Sequence, residues 1–212
     1  MQSMLKGFWA VPLTAKLGLV VVMAYLVVAV FAPVIAPYSE TEILGGSYEL
    51  WSDKYPLGTD SLGRDMLSRL IFGARNTIGI ALAAVTLAFL VGGATGMLAA
   101  ILGGWYDTII SRIVDILMAI PSLVFALLIL TILGTSIPIL ILVIAVLDCT
   151  RVYRITRAAA MNVVVLEYVE VARLRGEGLW WGIRKEVLPN IMAPLLAEFG
   201  LRFCFVFLFI AA

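Results

Sequence analysis

The side chains best suited to chemistry in this chain are two opposite charges inside an apolar segment. Glu198 and Arg202 are four residues apart in the otherwise uncharged run 191–212, so a helix would place them on one face. A lone charge at the centre of a bilayer costs at least about 2.5 kcal/mol. The two groups are therefore expected either to form a structural pair within a helix bundle or to face a wet cavity, where they would line a translocation pathway.

Residues for catalysis or for binding nucleic acid are missing from the sequence. There is no His and no Gly-rich phosphate loop of the Walker type, and Cys149 and Cys204 lie in apolar segments without a neighbouring base. The formal net charge of +1 disfavours a polyanionic partner. We therefore predict that the chain is not an enzyme, holds no metal and no cofactor of its own, and does not bind nucleic acid.

A polar island, residues 167–190, lies between two apolar runs. Eight of its 24 residues are charged, against 14% for the whole chain. The sequence predicts a first helix through Gly176, followed by a break. A short second helix with Trp180 and Trp181 then leads to Pro189, which would begin the last span at a position where its missing N–H costs nothing. Such an element would offer a polar face to the cytoplasm; an ordinary positively charged cytoplasmic loop is the alternative.

Long uncharged runs and a mean hydropathy of +1.08 indicate a polytopic membrane protein of the all-α class. The charge pattern predicts about five spans. A turn at residues 134–138 separates the third span from the fourth. The first span lies in residues 17–36, the second within 76–106 and the fifth in 191–212. Residues 116–147 contain the third span and most of the fourth, which continues beyond residue 147.

Glycines in the second predicted span indicate close helix packing. Gly92, Gly93 and Gly96 are small-residue positions in an apolar run, and the Gly-x-x-x-Gly spacing there favours helix packing over phosphate binding. Orientation follows from the positive charges: residues 151–185 hold seven of the fifteen Lys and Arg residues, which predicts a cytoplasmic location. Counting spans backwards places residues 38–75 outside and the N-terminus inside.

The predicted outer segment contains charges at helical spacing. Asp60 with Arg64, and Asp65 with Arg69, are spaced for i,i+4 pairing on a short helix. These pairs would either stabilise the segment as a lid at the membrane face or dock an external binding protein.

The polar island resembles the EAA loop of ABC importer permeases, a pattern of Glu-Ala-Ala, three residues, Gly, nine residues, Ile, one residue and Leu-Pro. Val171 stands at the second position of the triplet, and Glu186 stands where the pattern has Ile. The positions in register are Glu170, Ala172, Gly176, Leu188 and Pro189.

The outer segment narrows the resemblance to one branch of these permeases. YPLGTDSLGRD, residues 55–65, is similar to the signature that follows the first span in the dipeptide, oligopeptide and nickel branch. VYRITR, residues 152–157, is also like that branch. Members have a sixth span beyond the point where this chain stops. The signature positions are Gly58, Thr59, Asp60, Gly63, Arg64 and Asp65.

The resemblance implies a type I ABC importer permease fold in a bacterial inner membrane and half of a translocation pore for short peptides. The implied partners are a second homologous permease subunit, two cytoplasmic ATP-binding subunits, which would hold ATP and Mg²⁺, and an extracytoplasmic substrate-binding protein. The island would dock on an ATPase subunit, and Trp180 and Trp181 would either join that contact or anchor at the membrane surface. The implied coupling residues are Glu170, Ala172, Gly176, Trp180, Leu188 and Pro189.

The resulting organisation places a cytoplasmic N-terminus at residues 1–16, the first span at 17–37, the outer segment at 38–75, and a permease core at 76–212 with its coupling loop at 166–189. Nickel and glutathione are the alternative cargoes within the family. A secondary transporter or a membrane scaffold is the alternative class.

Overall fold

The computed structural model describes residues 12–211, which are mainly helical, so the predicted all-α class is confirmed. The only strand-like pairing in this range is an isolated bridge between Thr59 and Asp65. Most of the predicted N-terminal segment, residues 1–16, lies outside the described residues. The helices are α1 (Leu13–Ile35), α2 (Met66–Leu102), α3 (Gly104–Ala119), α4 (Ser122–Leu133), α5 (Ile137–Val164), α6 (Glu167–Leu174), α7 (Leu179–Trp181) and α8 (Leu188–Ala211).

The chain divides into two compact units, and the division falls inside α2. The first unit, residues 1–79, contains α1 and the polar segment that follows it. The second unit, residues 80–212, contains the remaining helices. In the second unit a π-helical stretch, Gly182–Val187, joins α7 to α8. A single helix therefore runs over Leu179–Ala211.

Helix lengths agree with the predicted membrane bundle. In the described part of the chain three helices are long and apolar enough to cross a membrane, or four if α3 and α4 form one broken span. α5 carries Asp148, Arg151 and Arg154 among its 28 residues and is not in this count. It occupies the place of the predicted fourth span, so five helical stretches correspond to the five predicted spans. The three helices are Leu13–Ile35, Met66–Leu102 and Leu179–Ala211.

The third predicted span is broken. α3 and α4 meet at an angle of 88°. Ile120, between them, has an extended backbone with ψ of 128°, because the residue before a proline is driven out of the helical region and Pro121 follows it. The turn predicted at residues 134–138 is confirmed: α4 ends at Leu133, and Gly134 has a φ of 90°.

Two glycines let α2 approach the backbone of α5. A Cβ atom at Gly92 would lie 2.6 Å from the carbonyl oxygen of Cys149, and one at Gly96 would lie 2.8 Å from that of Tyr153. Both distances are too short for any side chain, so the predicted packing role of these two glycines is confirmed. Gly93 has open space around it and does not share this role.

An apolar cluster connects the polar island to the rest of the second unit. It joins α2, α5, α6, the π-helical stretch and α8. Because α6 has only eight residues, too few for an isolated helix in water, this packing is what stabilises it. The buried members of the cluster are Met97, Ala160, Val163, Val169, Ile183, Val187, Ile191 and Leu195.

Replacement of Gly96 tests the close approach of α2 and α5. We expect Gly96→Val to destabilise the second unit by about 1–3 kcal/mol, because the new side chain would enter the space of the Tyr153 carbonyl. Thermal unfolding of the purified protein in detergent measures the effect. Gly93→Ala, on the same helix but in open space, is the control and should leave the Tm unchanged. Equal Tm values for both variants would contradict the packing role.

Candidate functional site

The polar island folds as a short helix that ends in a tight turn. α6 has Glu167 and Glu170 in its first turn and Arg173 in its last, an order that complements the helix dipole. The helix ends at Leu174, earlier than the predicted end at Gly176. Gly176 adopts a φ of 82°, a left-handed conformation that glycine tolerates and that terminates a helix.

Hydrogen bonds at the end of α6 form a Schellman motif. The N–H of Gly176 donates to the carbonyl of Arg173 at 2.9 Å, and the N–H of Glu177 donates to the carbonyl of Ala172 at 3.2 Å. These bonds satisfy carbonyls that the helix end would otherwise leave without donors. The turn predicted at Gly176 is therefore present and is stabilised by these two hydrogen bonds.

The predicted coupling residues divide into exposed and packed side chains. Glu170 and Pro189 are exposed, and Trp180 is 72% exposed. Ala172 is buried beside Val169, and Leu188 packs against the apolar cluster. The exposed residues are available to a partner, whereas the packed ones hold the helix that presents them. Direct contact of any of them with an ATPase stays a prediction.

The sequence predicted that Pro189 begins the last helix. This prediction is wrong, because the helix is already continuous from Leu179. The π-helical stretch Gly182–Val187 precedes it directly. An α-helical turn at this place would set the proline ring against the carbonyl four residues earlier, and a wider turn relieves that clash. The Asn190 side-chain amide donates to the carbonyl of Glu186 at 2.5 Å. The part of the island from Leu179 onward and the last span thus form one continuous helix, which the turn at Gly176 separates from α6.

The charge pair predicted in the last span forms, and it belongs to a larger cluster. Arg202 Nε donates to Glu198 Oε1 at 2.5 Å. Arg202 Nη1 also lies 4.0 Å from Asp148 Oδ1 on α5, and Arg151 Nη1 lies 3.1 Å from that same oxygen. Arg202 is 13 residues beyond Pro189, about 20 Å along a helix axis. The cluster therefore lies well inside the apolar part of the last helix and not at its start.

The cluster borders a cavity of about 390 Å³. Arg202 lines the cavity, whereas Glu198 does not. The two residues form the predicted pair, and Arg202 also borders a cavity; their place on a translocation pathway stays a prediction. Sequence reasoning missed Asp148, although it is the only charged residue in positions 116–150. A single carboxylate in so long an apolar run is a signal that could have identified it.

A second polar network holds α3 against α5. The Arg157 guanidinium makes two hydrogen bonds to the Asp107 carboxylate, one of them Nη2 to Oδ2 at 2.5 Å. The Tyr153 hydroxyl lies 2.9 Å from the Ser111 hydroxyl. Arg154 pairs with Asp115 at 2.6 Å. These pairs join residues 39 to 50 positions apart, which is why the sequence alone did not reveal them.

Asp60 is the centre of the outer segment. Its Oδ1 accepts hydrogen bonds from the N–H groups of Leu62 at 2.8 Å and Arg64 at 2.9 Å. Its Oδ2 pairs with Arg64 Nε at 3.0 Å, which confirms one predicted pair, and with Arg69 Nη1 at 2.5 Å. The predicted pairing of Asp65 with Arg69 is wrong.

Asp65 has a different partner. Its Oδ2 accepts from the N–H and the hydroxyl of Ser68, at 2.8 and 2.7 Å. It thus caps the first turn of α2, which leaves Arg69 to pair with Asp60. The predicted short helix is also absent: Thr59 and Asp65 pair as an antiparallel bridge around a turn.

The signature glycines allow the outer segment to close on itself. Gly58 and Gly63 have φ values of 73° and 75°. A Cβ atom at Gly58 would lie 2.4 Å from the carbonyl oxygen of Glu49, and one at Gly63 would lie 2.1 Å from that of Gly45. The Thr59 hydroxyl donates to the carbonyl of Gly46 at 2.7 Å. The signature residues therefore specify the shape of this segment.

Hydrogen bonding stabilises the charged form of Asp60. The backbone N–H of Arg64 is the largest cause that holds the pKa of the Asp60 carboxyl below its usual value, and desolvation opposes it. The N–H of Leu62 and the guanidinium groups of Arg64 and Arg69 lower the pKa further.

Residues 92–212 match the sequence model of the family described as binding-protein-dependent transport system inner membrane component. The chain is 35% identical over 191 residues to the dipeptide transport system permease protein DppC of Haemophilus influenzae, covering 87% of this chain and 65% of that protein. It is 37% identical to the di/tripeptide transport system permease protein DppC of Pseudomonas aeruginosa, covering 95% and 70%. It is 30% identical to the glutathione transport system permease protein GsiD of Pectobacterium atrosepticum, covering 71% and 50%. The chain thus spans less than two thirds of the Haemophilus relative.

The lowered pKa of Asp60 predicts acid sensitivity of the outer segment. The carboxylate contributes stability above the unfolded pKa of about 3.9, and this contribution is lost as the pH falls through the lower folded value. The backbone N–H groups of Leu44 and Tyr48 donate to the carbonyls of Gly63 and Asp60. We expect Asp60→Asn to raise the deuterium-exchange rates of these two amides several-fold at pH 7.

At a pH below the lowered pKa, exchange in the wild type and in Asp60→Asn should converge. Asp53→Asn, which changes an exposed carboxylate in the same segment, is the matched control and should exchange like the wild type at both pH values. A constant difference between Asp60→Asn and the wild type across the pH range would contradict the assignment.

Proposed function

Because the chain belongs to the family of binding-protein-dependent transport system inner membrane components, we propose that it is a pore-forming subunit of an ATP-driven importer of short peptides. The names of two relatives, a dipeptide permease and a di/tripeptide permease, support the choice of cargo. The full importer would add a second permease subunit, two cytoplasmic ATPase subunits with ATP and Mg²⁺, and an extracytoplasmic binding protein. The N-terminus would be cytoplasmic.

The observation that carries the mechanism is the continuous helix Leu179–Ala211. At its start, the π-helical residues Ile183 and Val187 pack in one cluster with Val169 of α6. About 20 Å beyond Pro189 it carries Arg202, at the edge of the cavity. A displacement of α6 by a docked ATPase would therefore move a helix that borders the cavity. Coupling requires that the ATPase contact favours one of two positions of that helix.

The exposed side chains of α6 define the docking face. Glu170 is exposed near the start of the helix, and Tyr168 and Val171 are 40% and 49% exposed. Val169 and Ala172 point into the protein, at 4% and 2% exposed. A mixed polar and apolar face of this kind suits a groove on a soluble subunit.

The outer segment has a separate role in this proposal. Its closed shape, fixed by Gly58, Gly63 and Asp60, presents a rigid surface to the extracytoplasmic side. Either a lid over the pore or a docking surface for the binding protein would use that rigidity.

Glutathione is the second candidate cargo, supported by the name of the relative GsiD. It is itself a tripeptide, with one γ-linked bond. Uptake by membranes or cells that contain the whole importer, with labelled dipeptide and labelled glutathione compared at equal concentration, separates the two. Deletion of this subunit should abolish uptake of the true cargo.

Substitutions on α6 test the docking claim. We expect Glu170→Lys to weaken retention of the ATPase subunits, in complexes purified from native membranes, by about tenfold or more, because it reverses a charge on the docking face. Gly176→Val should have the same effect, since a side chain is strained in the left-handed turn. Quantitative mass spectrometry of the purified complex measures retention.

Glu42→Lys, which reverses an exposed charge in the outer segment, is the matched control and should retain the ATPases. If Glu170→Lys and Gly176→Val retain the ATPase subunits as well as the wild type does, α6 is not the docking element.

A further inference from the structure

The cavity of the second unit is lined by three helices and has one polar and one apolar side. Ser122 at the start of α4, Asp148 and Arg151 on α5, and Arg202 on α8 form the polar side. Phe205 and Phe209 of α8 belong to the apolar side. A volume of about 390 Å³ suits a small organic molecule with one charged end and one apolar group.

The cavity is lined by two arginines and one carboxylate, and Glu198, which contacts Arg202, makes the cluster of four charges neutral. Arg151 and Arg202 are cations, and Asp148 is the only acidic group in the lining. Arg202 Nη1 is 4.0 Å from Asp148 Oδ1, which is too far for a hydrogen bond. Glu198 engages Arg202 through Nε, from outside the cavity. The carboxylates therefore hold the guanidinium groups in place through one donor each, Arg151 Nη1 and Arg202 Nε, and the remaining guanidinium N–H groups are available to a bound carboxylate.

The break between α3 and α4 adds donors to the polar side of the cavity. α4 begins after an 88° bend, and no side chain caps its N-terminus. At membrane depth the first N–H groups of such a helix need an acceptor. Broken helices of transporters direct these N–H groups and the positive helix end towards anionic groups of substrates. Ser122, the first residue of α4, lines the cavity.

Asp148 supplies an acceptor as well. Its side chain is 4% exposed, and its Oδ2 atom has no hydrogen-bond partner among the described residues. A buried carboxylate oxygen without a donor is costly. An N–H group of a bound molecule, close to the anion that the arginines bind, would satisfy it.

We propose, on the basis of the importer function above, that this cavity binds the C-terminal residue of a short peptide. The free carboxylate pairs with Arg202 and Arg151 at the N-terminus of α4. The amide N–H on the same Cα atom donates to Asp148, and the side chain packs against Phe205 and Phe209. Glu198 is a positioning residue that orients Arg202. The site thus selects peptides with a free C-terminus and an apolar last residue.

Binding to the assembled importer in nanodiscs, without its binding protein, tests this site. The probes are alanyl-phenylalanine and its C-terminal amide, measured by saturation-transfer NMR. We expect the wild type to bind the free acid at least about tenfold more tightly than the amide, because the amide lacks the charge. Arg151→Gln and Arg202→Gln should remove this preference. Arg202→Gln alone leaves the Glu198 carboxylate without its partner, which can prevent folding. The double variant Arg202→Gln with Glu198→Gln removes both charges of this pair and is measured alongside the single variant.

Arg154→Gln is the matched control, since Arg154 lies on α5 but pairs with Asp115 and is not in the cavity lining. It should keep the preference for the free acid. Equal binding of acid and amide to the wild type, no binding of either, or an unchanged preference in the Arg151 and Arg202 variants would overturn the proposal. Import of labelled dipeptide by the wild type is measured in parallel: its failure refutes the importer function, whereas import without C-terminal preference refutes only this site.

Discussion

The close approach of α2 to α5 is the constraint on which the second unit depends. Gly92 and Gly96 bring backbone against backbone, so α5 is fixed by contacts that tolerate little displacement. On one side of α5 this places Tyr153 and Arg157 within reach of Asp107 on α3. Elsewhere on α5, Asp148 lies beside Arg202 of α8. A helix with four charged residues can stay in an apolar bundle because each charge meets a partner at a fixed distance.

Local sequence signals predicted the elements, whereas their contacts required the fold. The turn after α4, the packing role of Gly92 and Gly96 and the pair of Glu198 with Arg202 all depend on residues at most four positions apart, so spacing alone was sufficient. The partner of Arg69 was mispredicted because Asp60 lies nine positions away and reaches Arg69 only through the folded turn, whereas Asp65, at the expected spacing, is occupied by Ser68. Pro121 was overlooked as a break because composition alone made residues 116–133 a span.

The candidate site shows the same division. The island was recognisable from Glu170, Gly176 and Pro189, but which of its residues face outward depends on the packing of Val169 and Ala172. The cavity could not be predicted, since it combines a helix break with charges from two helices that are distant in sequence. A lone Asp148 in an apolar run was the one available sign of it. Charged residues in apolar segments are therefore informative before their partners are known.

The π-helical stretch before Pro189 has a consequence for the evolution of this chain. A π-helical turn contains one residue more than an α-helical turn, and each residue of an α-helix turns the next by about 100°. Loss of one residue within Gly182–Val187 would therefore convert this stretch to an α-helical turn and leave the later side chains of α8 facing in much the same direction. Loss of one residue in the α-helical part that follows would instead turn every later side chain by about 100°. The length of the last helix can thus change at the π-helical stretch without altering the direction in which Arg202 faces.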